Sequence, residues 1–471
     1  MKPHIKNLSL LLVRITGVGL MLAGPVMAQT FTTLHSFTAL SNNPNYGNTN
    51  SDGQFPNGDL TLSGDTLYGT AQNGGDSGRG TVFAVNTDGT GFTTLHSFYS
   101  PSIYRDGNTP LAGLVVSGTT LYGATASGGI FGSGTVFAVN TNGSGFTNLY
   151  NFTGVNDGNY PDSRLLLSGN TLYGTAGNLF AINTDGTGVT NVKSFGDGNL
   201  ALLGNTLYGT APGDGNTDQG RVFAVNTDGT GFTNLHIFTA LTNSPLYGGT
   251  NSDGTHPRGG LVLYRSTLYG TAATGGNYGM GTVFAVNTDG SGFRNLHSFT
   301  ANVPFLLITN SDGAFPSAGL TLSGNTLYGT ASTGGGSANG TIFAVNTDGT
   351  GFTTLLSFTG YPNSSFPRGG MVLSGNTLYG TAQLGGDSGS GSVFSISFPP
   401  HLTILSSMSN LILSWPTNYA GFDYTRYVLQ STTDLVSPVW TTNSTAAVIV
   451  NGLYTVTNPI SGTQQFFRLS Q

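Results

Sequence analysis

Short runs of alternating and β-branched residues, separated by Gly, Asn and Asp, fill most of the chain and recur at a fixed spacing. Leu-Tyr-Gly appears with its tyrosine at Tyr68, Tyr122, Tyr173, Tyr208, Tyr269, Tyr328 and Tyr379. These are seven copies with a mean period of about 52 residues, in the range of propeller repeats. An apolar stretch such as Gly319–Gly324 precedes each copy. A Gly-rich loop and a run like Thr-Val-Phe-Ala-Val-Asn follow, with phenylalanines at Phe83, Phe137, Phe180, Phe223, Phe284, Phe343 and Phe394. An Asn-Thr-Asp-Gly turn then leads into a fourth run, for example Phe92–Phe98. Period-two patterning bounded by turn residues predicts strands, and Asp-Gly between two such runs predicts a hairpin.

Four strands per repeat predict a blade, and seven repeats predict an all-β, seven-bladed β-propeller over residues 29–398. The phase supports closure. An orphan fourth strand, Phe31–Phe37, precedes the first repeat, and the last repeat stops after its third strand at Ser397. The N-terminal strand is therefore expected to complete the last blade and remove two open edges. Connections vary: Phe195 to Leu200 is short, whereas Phe37 to Leu60 and Phe238 to Leu261 are long. The third repeat replaces the Gly-rich loop with a tight Gly177-Asn178 turn.

Pro399-Pro400 ends the repeats. Residues 399–471 hold five further strand-like runs and predict a small β-sandwich similar to fibronectin type III, with Trp415 and Trp440 in its core. Residues 1–28 carry Lys2, Lys6 and Arg14, a short apolar run and a Val26-Met27-Ala28 cleavage signature, which predicts a secretory signal peptide. No later segment has the length and hydropathy of a membrane span.

Charge narrows the partners. All 20 acidic residues are Asp, and after signal cleavage 11 cationic side chains face them, a formal charge of −9. No basic stripe exists, which argues against nucleic acid and anionic lipid. Without Cys or Glu, thiol chemistry and Glu-based acid–base catalysis are excluded. Neither a nucleophile elbow nor a phosphate-binding loop is present.

The unit Leu-Tyr-Gly-Thr-Ala, Gly-Gly, Gly-Thr-Val-Phe-Ala-Val-Asn-Thr-Asp-Gly-Thr-Gly-Phe resembles the GloVer tandem repeat of bacterial "choice-of-anchor" surface proteins over residues 31–397. The resemblance implies an extracellular or envelope location and no particular chemistry. The C-terminus, Phe466 to Gln471, departs from the anchored members in lacking a hydrophobic tail followed by a basic cluster.

Candidate sites are few. Asp-Gly followed by Pro recurs before the first strand at Asp52, Asp106, Asp157, Asp253 and Asp312, with a shortened version at Asp197. If these carboxylates share one mouth of the channel, they offer hard oxygen ligands to calcium or acceptors to sugar hydroxyls. The competing reading is a turn in which Asp caps its own backbone. His35, His96, His236 and His297 share one repeat position with Tyr150, Lys193 and Leu356, so a metal site there is not expected. His256 stands alone in a long loop. The repeated tyrosines read as inter-blade packing more than as sugar platforms. The expectation is a monomeric, non-catalytic secreted or surface protein that binds polysaccharide or protein through its loops. A polysaccharide-active enzyme with its site at the channel mouth and a structural envelope component are the alternatives.

Overall fold

A computed structural model describes residues 29–99, 106–193, 198–213, 218–244, 248–301, 309–407, 409–460 and 464–470. The proposed signal peptide and Asp197 lie outside the described residues. The chain forms two compact units, one of residues Phe31–Ile396 and one built on Ser397–Gln471. Both are all-β among the described residues.

Each Leu-Tyr-Gly lies on the second strand of a four-stranded antiparallel sheet, the blade of a propeller-like fold. The first repeat shows the pattern with Thr61–Ser63, Thr66–Ala71, Thr81–Asn86 and Thr93–Ser97. In the last repeat the first three strands are Val372–Ser374, Thr377–Ala382 and Ser392–Ser397. The fourth position is taken by Thr30–Ser36 from the beginning of the chain.

The repeat motif follows from cross-strand packing. Gly69 pairs with Phe83, and a Cβ on Gly69 would sit 2.5 Å from the phenyl Cζ. The glycine of Leu-Tyr-Gly thus leaves room for the ring that lies across it. Phe83 and Leu67 are fully buried. They pack with Phe37, Tyr379 and Val393 of the sheet formed by the last repeat. The same interlock joins Tyr208 to Leu268 and Phe284, and Tyr269 to Leu327 and Phe343. All seven repeated tyrosines are buried, which places them in the seams between blades. Each buried apolar side chain contributes roughly 1.5–3 kcal/mol.

Neighbouring blades are also tied through the backbone. The Gly-rich loop of one repeat ends in a left-handed glycine, Gly281 for example, whose Cα faces Pro316 of the next. A Cβ there would meet the proline Cδ at 2.5 Å. The residue before that proline, Phe315, adopts φ 58°, and its N–H donates to Met280 O at 2.9 Å. Phe55, Thr109, Tyr160, His256 and Phe366 repeat this strained conformation. At the join between the two ends of the unit, Gly391 faces Pro56 and Phe55 N–H donates to Ser390 O.

In the C-terminal unit, Thr403–Ser407, Asn410–Pro416, Leu453–Pro459 and Val448–Val450 form one sheet in that order. Thr441–Thr442, Val428–Thr432 and Phe466–Ser470 form another. Leu413, Trp415, Leu429 and Val456 make its core. Trp440 corrects the expectation of two core tryptophans. It is half-buried, and the Arg468 guanidinium lies 4.3 Å from its ring centroid.

Candidate functional site

The two repeated positions read separately in the sequence, the histidines and the Asp-Gly aspartates, meet in space. Asp52 accepts hydrogen bonds from His35 Nε2 (3.0 Å), Thr38 N–H (2.9 Å) and Thr38 Oγ1 (2.5 Å). Asp253 is held in the same way by His236 and Thr239, and Asp312 by His297 and Thr300. At Asp157 the phenol of Tyr150 donates in place of imidazole, at 2.7 Å, alongside Thr153. Asp106 is looser, 3.4 Å from both His96 Nε2 and Tyr99 N. The imidazole of His35 stacks at 3.5 Å on Phe92 of the following repeat, and His96, His236 and His297 stack likewise on Phe146, Phe293 and Phe352. Each cluster therefore fastens one blade to the next.

Electrostatics agree with this role. Burial pushes the Asp52, Asp253 and Asp312 carboxyls upward, but the hydrogen bonds from histidine and threonine outweigh it, and all three sit below the ordinary carboxylate range. Asp157 is also lowered, its threonine and tyrosine donors overcoming burial. The substitution pattern inside the chain is consistent. Where the fourth strand carries Leu356, which cannot donate, Asn363 replaces the aspartate and bonds Thr359 Oγ1 at 2.8 Å.

The five aspartates occupy five separate inter-repeat loops, and none lines the channel or its mouth. No group of three or more metal-ligating side chains occurs among the described residues. His256 is held between Thr255 and Thr274 hydroxyls, each 3.0 Å from Nδ1. Burial and then the Arg258 charge lower its pKa.

A different set of residues converges. One cavity of about 580 Å³ is bordered by the first strand of every repeat, and a mouth of about 270 Å³ adjoins it. Asp59, Arg164, Asn199 and Gly319 border both. Aligned on the first-strand leucines, one position reads Asp59, Gly113, Arg164, Asn199, Gly260, Gly319 and Gly370. At Gly113 the glycine is required by backbone crowding, since a Cβ there would lie 2.6 Å from Asp59 O. Three repeats place polar side chains there instead. Asp59 Oδ1 accepts the Gly370 N–H at 2.5 Å, closing on the last repeat. Asn199 Oδ1 accepts the Arg164 N–H at 2.6 Å. The Arg164 guanidinium donates to Leu114 O at 3.1 Å through Nε and to Thr61 Oγ1 at 3.4 Å through Nη2, spanning two repeats.

Farther out, the residue after each loop proline lines the mouth: Asn57, Leu111, Asp162, Arg258, Ser317 and Arg368. Sequence reading passed over these residues because each looks like a random substitution. Aligning the repeats on the first-strand leucine is the signal that collects them.

The profile of one repeat family matches residues 26–203 and 242–421. The chain belongs to the Gloeobacter/Verrucomicrobia repeat family. Its match covers most of the seven repeats and the beginning of the C-terminal unit. No curated protein matches this family member in sequence. Among solved structures, an oligogalacturonate lyase from Vibrio parahaemolyticus is similar at 10% identity and TM-score 0.50, covering 78% of this chain and 93% of the lyase. BamB from Moraxella catarrhalis is similar at 14% identity and TM-score 0.39, covering 74% and 85%. At such identity the lyase likeness speaks to the propeller-like fold of the repeat unit and to nothing else.

Proposed function

We propose that this repeat protein is a secreted or cell-surface binding protein whose propeller has seven blades and takes a glycan ligand at the channel mouth. The C-terminal unit, residues 399–471, serves in this reading as a fibronectin-like attachment or spacer module. The observation that carries the proposal is the departure from repeat symmetry at one place. The inter-blade clusters recur at five Asp-Gly loops, while the mouth carries unlike side chains, Asn57, Asp59, Asp162, Arg164, Asn199, Arg258 and Arg368, on five repeats. A symmetric scaffold with convergent unlike polar groups is the usual form of a small-ligand site. A surface location is supported by the family and by the signal-peptide-like pattern of residues 1–28.

The test is a polysaccharide and glycan binding screen of residues 29–471 beside the N199A variant and a D157N variant from an inter-blade cluster. Binding that N199A weakens at least tenfold and D157N leaves unchanged supports a mouth site. Equal binding by all three places the ligand elsewhere. Release of unsaturated or reducing products during the screen supports the enzymatic alternative.

A further inference from the structure

We infer that the mouth is selective for a carboxylate-bearing saccharide, a uronate, and that Arg258 and Arg368 receive its carboxylates. The inference rests on the mouth reading above and adds the chemical class of the ligand.

The basis is where cations lie in a chain that has few of them. Residues 29–398 contain nine Lys and Arg side chains, and three of these, Arg164, Arg258 and Arg368, border the mouth. Arg164 is committed to the wall through Leu114 O and Thr61 Oγ1. Arg258 and Arg368 are exposed on the fifth and seventh repeats, and among the described residues neither forms an ion pair. Both follow the left-handed residue and proline of the inter-blade bridge, at His256-Pro257 and Phe366-Pro367. Their main chain is therefore pinned: Phe366 N–H donates to Asn339 O, and His256 N–H donates to Gln219 O. Planar guanidinium forks on a fixed backbone suit bidentate recognition of a planar carboxylate.

The rest of the lining decides between anions. Among the described residues, Asp59 and Asp162 share the mouth with the three arginines, a formal charge of +1. A densely charged polymer, such as polyphosphate or nucleic acid, would meet these two carboxylates and, over residues 29–471, a formal charge of −9. A uronate carries one carboxylate per ring amid several hydroxyls. The hydroxyls are served by the Asn199 Nδ2 amide, Ser317 and the second carboxylate oxygen of Asp59, and the carboxylates by Arg258 and Arg368. The interleaving of donors and acceptors fits that mixed ligand better than a uniform polyanion.

The experiment is isothermal titration of residues 29–471 with oligouronates, the same oligouronates as methyl esters, and a neutral glucan of equal length. The R258A/R368A and N199A variants run in parallel, and thermal melts confirm that each is folded. Free oligouronate is expected to bind, its methyl ester at least tenfold more weakly, and R258A/R368A to lose at least tenfold for the free acid only. Raising salt should weaken the free acid alone. Equal affinity for acid and ester, no effect of the double arginine variant, or no binding of oligouronate to the parent overturns the inference. Neutral glucan that binds the parent and is weakened by N199A would overturn it while leaving the mouth reading intact. Binding of any probe that neither variant alters would remove both.

Discussion

A carboxylate that reads as a ligand can be a fastener when its acceptor positions are already filled. Asp312 takes His297, Thr300 N–H and Thr300 Oγ1, and its loop neighbour Asn310 bridges Gly313 and Gly335. Replacing His297 by Leu leaves the buried carboxylate without its ring donor, and should cost about 1–3 kcal/mol in urea unfolding. The double variant H297L/D312N reproduces the combination of Leu356 and Asn363 found between the sixth and seventh repeats, and is expected to recover at least half of that loss. If the double variant is worse than the single one, the internal pairing has no energetic meaning. The pH dependence has a fixed sign. The folded-state pKa values of Asp52, Asp157, Asp253 and Asp312 lie below the ordinary value of 3.8. Their contribution is therefore full above about pH 5 and lost as pH falls through and below about 3.8. Melting temperature should be level from about pH 7 to 5 and drop below about pH 4. Chelator should leave it unchanged, because protein donors occupy these carboxylates. These residues were visible in the sequence as two repeated positions. Their partnership was not, because 17 residues separate His35 from Asp52 and only the loop path brings them together.

At the scale of the element, the junction between blades depends on a glycine and a proline contributed by successive repeats. G281A combines a non-glycine residue at φ 101° with a clash against Pro316 Cδ. It should destabilise by roughly 2–4 kcal/mol. G204A places the same methyl group at φ 58° in open space and should cost about 1 kcal/mol. Similar losses in the two variants would show that backbone conformation alone, and not the proline contact, sets the requirement. Strands, hairpins and repeat phase were legible because period-two patterning and Asp-Gly turns are local signals. The left-handed residues before proline were not, since Phe55, Tyr160 and Phe315 are poor candidates for that conformation. The hydrogen bond from each to the preceding repeat is what holds it there.

For the molecule as a whole, the junction between the third and fourth repeats is exceptional. There the Gly-rich loop is reduced to Gly177-Asn178, and the loop proline is missing with it, so the two halves of the fastening are lost together. At the opposite extreme is the sheet that mixes Thr30–Ser36 with the last repeat. Removing residues 30–36 would strip a strand from that sheet along with the contact of Phe31 with Phe394. It should lower the melting temperature of the propeller unit by about 10 °C or more. A truncated chain that melts with its parent would refute closure by this strand. The C-terminal unit shows the limit of pattern reading at this scale: five strands fall on the runs read from the sequence, but Thr403–Ser407 and Thr441–Thr442 were passed over, and Trp440 was assigned to the core when an arginine covers it on the surface.

The sheet shared by the two ends of the repeat unit also governs the order in which the fold can be completed. Thr30–Ser36 emerges first during synthesis, yet its partner Ser392–Ser397 arrives only after more than three hundred further residues. Until then the earliest strand has no neighbour to hydrogen-bond, and the first blade lacks one flank. The interior sheets are each built from four consecutive strands and can form as they are made, whereas the shared sheet waits for the final repeat. The repeat unit therefore reaches full stability only when its last repeat has been made.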